Sequence, residues 1–108
     1  MGESVEVLQG TLDLLILKTL MLGPLHGWGI SKRVREHSSD VLQVHQGSLY
    51  PALYRLEDKE WIEAEWGESP DGRKAKIYRL TAAGKKAYVK ERATWRLFST
   101  AVEQVLAT

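Results

Sequence analysis

A chain of 108 residues holds one small domain with one core, and its 44% hydrophobic and 27% charged content is that of a folded soluble protein, not a disordered one. Without a single cysteine it can build neither a disulfide framework nor a thiolate metal site. The net charge of +1 does not by itself mark a polyanion binder, but residues 69–79 set Arg73, Lys74, Lys76 and Arg79 against Asp71 alone, and a local cluster of that kind steers polyanions even when the total is near zero.

The N-terminal stretch MGESVEVLQ carries acids where a secretory or mitochondrial address would carry lysine or arginine, so a cytoplasmic location is expected. The apolar run LDLLILKTLMLGPL is interrupted by Lys18 and closed by Gly23-Pro24, which reads as a buried helix and not as a membrane span. Its spacing predicts a first helix from about Gly10–Thr11 to Leu22, with Thr11 as cap and Asp13 in the first turn at the positive end of the dipole. Leu12, Leu15, Ile16 and Leu20 mark one face, on which Thr19 is the only polar member. Leu14, Leu17 and Met21 make the other sides greasy as well, and such a helix needs cover from more than one neighbour. A short second helix is expected from about Trp28 to Glu36, burying Ile30 and Val34 and turning Lys32, Arg33 and Arg35 elsewhere. Ser38-Ser39-Asp40 breaks it, and VLQV at 41–44 alternates weakly, as a short extended segment would.

The stretch HQGSLYPALYRLEDKEW, residues 45–61, places Leu49, Ala52, Leu53 and Leu56 at i, i+3, i+4 and i+7, one face of a third helix. With Ser48 as N-cap, Pro51 falls in the first turn, where its missing N–H costs no intrahelical bond. Tyr50, Pro51, Tyr54 and Arg55 then project away from the leucines. After Trp61 the period changes to two. Ile62, Ala64 and Trp66 alternate with Glu63 and Glu65, and Lys76, Tyr78 and Leu80 alternate with Ile77 and Arg79. The intervening ESPDGRKA supplies Pro-Asp-Gly turn chemistry, so a β-hairpin with a basic tip is expected. Thr81 caps a long final helix through about Leu106, along which Trp95, Phe98, Val102 and Val105 recur at the spacing of a helix–helix seam.

The resulting order is mainly α with a small β-hairpin: a winged helix-turn-helix over residues 1–80, followed by a C-terminal helix over 81–108 suited to dimerisation. In that layout the third helix can enter a major groove, the basic hairpin can reach the backbone or minor groove, and a helix N-terminus suits phosphate oxygens. The motifs GTLDLLILKTL, GPLHGWGI, GSLYPALYRLEDKEWI and GRKAKIYRLTAAGKKA, in this order over roughly residues 8–100, resemble those of the PadR family of bacterial transcriptional regulators. The chain departs from the family pattern at Trp28, where a tyrosine is usual, and at Gly29, which replaces a commoner polar residue.

The resemblance implies a homodimeric repressor of promoter DNA whose last helix makes the dimer and whose affinity responds to a small molecule. It implies that Ser48, Tyr50, Pro51, Tyr54 and Arg55 form the face turned to double-stranded DNA. Arg73, Lys74 and Lys76 are expected to join them from the hairpin and Lys32 from the second helix, whereas Arg79 reads as structural. Leu12 and Leu15 are expected to pack with Trp95, Phe98, Val102 and Val105 across the dimer interface, where Trp95 could wall a pocket for a flat aromatic effector. His26, His37 and His45 match no metal spacing and suit helix ends or the surface. No G-x-S-x-G elbow, Gly-rich phosphate loop or His-Glu-x-x-His occurs, so neither catalysis nor a cofactor is expected. Two readings of other classes compete: a winged-helix module that docks a protein, and a multidrug-type sensor dominated by its ligand site.

Overall fold

The structure is a computed structural model that describes residues 5–6 and 9–108. In chain order the elements are β1 (Val5–Glu6), α1 (Gln9–Met21), β2 (Leu25–His26), α2 (Gly27–His37), β3 (Leu42–Gln43), α3 (Gln46–Asp58), β4 (Ile62–Glu68), β5 (Lys74–Leu80) and α4 (Ala82–Leu106). α1 is the hub, as its all-round apolarity requires: it packs on α2, α3, α4 and β5. Leu12, Ile16, Leu17 and Leu20 are buried, and Thr19 among them satisfies its hydroxyl by donating to the Leu15 carbonyl at 2.7 Å. Thr11 lies inside this helix and does not cap it, because the helix begins at Gln9. Asp13 consequently serves no first turn; it reaches across to α3. Gly23, at φ 140°, supplies the backbone turn that stops the helix.

Leu49, Ala52, Leu53 and Leu56 of α3 are all buried against α1, as their spacing predicts, and truncating one of these leucines to alanine should cost about 2–5 kcal/mol. The helix starts one turn earlier than Ser48 suggests. Its first bonds run from Ser48 and Leu49 N–H to the His45 carbonyl, so His45 is the N-cap residue and Ser48 is helical. Pro51 therefore stands in the second turn, not the first. Its missing N–H frees the carbonyl of Gly47, which is exposed and can bond water, so the proline is tolerated. The C-terminus closes with Glu60 N–H on the Glu57 carbonyl and Trp61 N–H on the Leu56 carbonyl, with Glu60 left-handed at φ 61°.

The hairpin is longer than the alternation indicates, pairing Ile62 with Leu80 at its base and Glu68 with Lys74 at its tip. A two-residue strand, β2, adds to its far side by pairing Leu25 with Tyr78 and His26 with Ile77. β1 and β3 form a separate parallel pair, Val5 with Leu42 and Glu6 with Gln43. The face carrying Ile62, Ala64 and Trp66 with Leu80, Tyr78 and Lys76 runs from the core outward, from buried Ile62 to a Trp66 that is 64% exposed.

Thr81 caps α4 as expected, its hydroxyl accepting from Gly84 N–H at 3.0 Å and lying 2.7 and 3.0 Å from the carbonyls of Glu60 and Trp61. Gly84 lets the helix press on the hairpin base: a Cβ there would sit 2.0 Å from the Trp61 carbonyl oxygen. Gly84, Ala87 and Tyr88 are the buried residues of α4, and beyond Tyr88 none is buried. Among the described residues no helix is long and apolar enough to cross a membrane.

Candidate nucleic-acid interface

The outer side of α3 begins with Tyr50, Pro51 and Tyr54, all exposed, with Ser48 half-buried in the first turn. The two tyrosines differ. Tyr54 is 61% exposed, whereas Tyr50 is 38% exposed and lays its ring end on Gly27 at the start of α2; a Cβ on Gly27 would approach the Tyr50 hydroxyl to 2.8 Å. Tyr50 thus braces α2 against α3 while keeping part of its ring in solvent.

Arg55 does not project freely as its helical position suggests. Its Nη2 donates to Asp13 Oδ1 at 2.8 Å, an ion pair that ties α3 to α1 across 42 residues of sequence. A similar correction applies to Lys76. The turn of the hairpin spans residues 69–73, so Lys76 lies within β5, half-buried, with its ammonium 3.8 Å from Glu57 Oε1 on α3. That carboxylate oxygen is buried and accepts no hydrogen bond among the described residues, where the Lys76 charge compensates it. Arg73 and Lys74 remain exposed at the tip. Asp71, exposed in the turn, is held below the ordinary carboxylate range by a hydrogen bond from Ser69 and by Arg73, whose Nε lies 3.5 Å away. Arg79 pairs with Glu65 on the opposite face of the hairpin, in keeping with a structural role.

Between α2, α3 and the hairpin lies an open cleft of about 320 Å³, walled by Trp28, Tyr50, Tyr54 and Trp66 with Lys74 and Lys76. Tyr78 closes its floor. Burial above all, then the nearby Glu57, Tyr50 and Tyr54, pushes the Tyr78 hydroxyl up to about 12. Neither Trp28, which the sequence marks only as a departure from the family pattern, nor Trp66 is among the residues expected to face DNA. The alternation did place Trp66 on the Ile62 face; the signal was that this face runs past the end of the core, leaving an indole outside it. Lys32 stands on α2 with its ammonium 5.1 Å from the centre of the Trp28 ring. His26 and His45 occupy the N-cap positions of α2 and α3, and His37 the last turn of α2, the helix-end placements expected of them.

The far side of the molecule presents the second group of candidate residues. Trp95, Phe98, Val102 and Val105 are all exposed on α4, at 42, 61, 38 and 69%. Trp95 and Phe98, with ring centres 6.2 Å apart, line an apolar groove of about 370 Å³ against Gly10, Thr11 and Leu14 of α1. Leu12 is not part of it. At 1% exposure it belongs to the core of its own chain, because α1 turns Leu12 inward and its neighbours Thr11 and Leu14 toward α4. Leu15 is half-buried and lies outside the groove lining.

Three helices with a small sheet whose hairpin stands beside the third helix define a winged helix-turn-helix protein. Comparison with known proteins gives the family. Residues 16–90 match the model of the transcriptional regulator PadR-like family, so the chain belongs to that family of transcriptional regulators. An uncharacterized protein of Lysinibacillus sphaericus is 37% identical over 86 residues, covering 80% of this chain and 78% of that one. Among solved structures, a transcriptional regulator from Clostridium thermocellum superposes with a TM-score of 0.80 at 29% identity, covering 89% of this chain and 93% of its own. A PadR family regulator from Clostridium difficile does so with a TM-score of 0.73 at 32% identity, covering 89% and 98%.

Proposed function

We propose that this PadR-family regulator is a homodimeric repressor that binds promoter DNA in the cytoplasm through the outer face of α3 and the tip of the hairpin. The observation that carries the reading is the shared exposure, on one side of a winged fold, of Tyr54, part of Tyr50, Pro51, Arg73 and Lys74. Tyrosine hydroxyls bond phosphates while their rings pack on sugars or thymine methyls, and the hairpin cations neutralise backbone charge. Ser48, in the first turn of α3, offers its hydroxyl to a phosphate, its own N–H being taken by the His45 carbonyl. Lys32 adds a further cation beside this surface. Arg55 and Lys76 act one step back, holding α3 on α1 and the hairpin on α3.

The dimer half of the reading is supported by the stripe from Trp95 to Val105, which a lone chain leaves in water together with Leu97 and Leu106. A partner's α4 laid along it would also roof the apolar groove beside Leu14, giving a flat aromatic effector a place between the subunits. Footprinting on the DNA that flanks the protein's own gene tests the whole. Protection of a two-fold-related site, diminishing steeply as salt rises, is the expected result. No protection at low salt would end the DNA reading, and salt-insensitive capture of a protein partner would replace it with a docking module.

A further inference from the structure

We propose that Trp28 and Trp66, each carrying a lysine over its ring, are a pair of grips for the sugar–phosphate backbone in the cleft beside the tyrosine-bearing face of α3. This rests on the DNA-binding reading above and adds to it two aromatic residues from outside the recognition helix. Trp28 opens α2 and is 54% exposed; Trp66 stands on β4 and is 64% exposed. They belong to different elements yet wall the same cleft, together with Tyr50 and Tyr54. Neither contributes to the core, so packing alone does not account for two large apolar side chains on this surface.

The lysines sharpen the assignment. Lys32 Nζ lies 5.1 Å from the centre of the Trp28 ring, and Lys74 Nζ 5.6 Å from that of Trp66. Among the described residues neither lysine has a carboxylate partner, whereas Lys76, the other cation lining the cleft, is paired with Glu57, and Arg73 in the neighbouring turn with Asp71. Each couple therefore offers an uncompensated ammonium beside an apolar plane. A phosphate oxygen is met by the ammonium and the adjoining deoxyribose by the apolar plane, while an indole N–H supplies one more donor to phosphate. Lys59 over Trp61, at 4.5 Å, shows that the pairing also occurs for purely structural reasons, but Trp61 packs against the core and Trp28 and Trp66 do not.

An indole carries no charge, which separates its contribution from that of the lysine. The test measures binding of a labelled mixed-sequence duplex of about three helical turns to the full chain over a range of salt, with thermal melting of every variant. Trp28→Ala and Trp66→Ala should each weaken binding by more than about threefold, beyond what replacing an idle surface residue produces, with the salt slope unchanged. Trp66→Phe should recover part of the affinity. Lys32→Ala and Lys74→Ala should instead lower the salt slope, each by about one unit or less. If the parent binds the duplex and both tryptophan variants bind within about twofold of it, the grips are excluded and the DNA reading stands. Affinity that falls only in step with melting temperature likewise overturns them, by making the indoles structural. A parent that binds no duplex at low salt removes both proposals together.

Discussion

Tyr50 and Tyr54 lie one turn apart on α3 and look equivalent in the sequence, but their surroundings assign them different costs. Tyr54→Ala removes a ring that is 61% exposed. It should lower DNA affinity by on the order of 1 kcal/mol while leaving the melting temperature within a few degrees of the parent. Tyr50→Ala also strips the packing on Gly27, so melting temperature and affinity should fall together. A Tyr54 variant that melts normally and binds as tightly as the parent would take that residue out of the interface. Tyr78 offers a residue-scale test by pH. Its phenol is held to about 12 in the folded chain, while in the unfolded chain it ionises near the ordinary value of about 10. Across that interval the unfolded state binds fewer protons, so stability falls as pH rises and is unaffected by this group below it. Melting curves of the parent should therefore decline more steeply above about pH 10 than those of Tyr78→Phe; parallel declines would refute the assignment.

Secondary-structure elements were legible wherever periodicity or a cap is local. The leucine face of α3, the alternation of β4 and β5 and the Thr81 cap all depend on residues within a turn of one another, and each reads directly from the chain. What escaped depends on distant partners. The bond that draws Arg55 off the outer face joins it to a residue 42 positions away. Strand β2 is two residues of Leu-His that become a strand only because β5 lies beside them. Ser48 misled because a serine before a hydrophobic run is a cap signal, yet the backbone turned helical at Gln46 and carried the serine inside. The hairpin, read correctly as basic, divides its cations between tasks: Lys76 neutralises Glu57, leaving Arg73 and Lys74 at the tip. Arg73→Ala with Lys74→Ala should thus weaken binding to all sequences alike and lower the salt slope by about one unit or less for each phosphate no longer neutralised. An unchanged slope would mean that the tip stays in water.

For the whole molecule, the proposed reading makes the dimer rather than the domain the unit that would read DNA, with α4 joining the two chains. Trp95→Asp with Val102→Asp should shift sedimentation from dimer to monomer, and DNA affinity should fall with it because two half-sites can no longer be held at once. An unchanged dimer would place the seam elsewhere. The folded chain is elongated, 53 Å by 37 by 22 Å, and α4, about 37 Å long, springs from a fixed joint where Gly84 meets the Trp61 carbonyl.

That joint gives the helix a gear-like phase. Between Tyr88, the last buried residue of α4, and Trp95, the first of the proposed seam, every inserted residue would turn the outer helix by about 100° relative to the winged head. One added alanine there should abolish pairing or splay the two heads out of register with a shared duplex, although nothing within either head is altered. Seven added residues restore the phase to within about 20° and lengthen the arm by about 10 Å. A dimer should then re-form, but with its half-sites mis-set against a helical repeat of about 34 Å. Sedimentation would recover while tight binding to the original site would not, making the length of α4 a ruler for operator spacing.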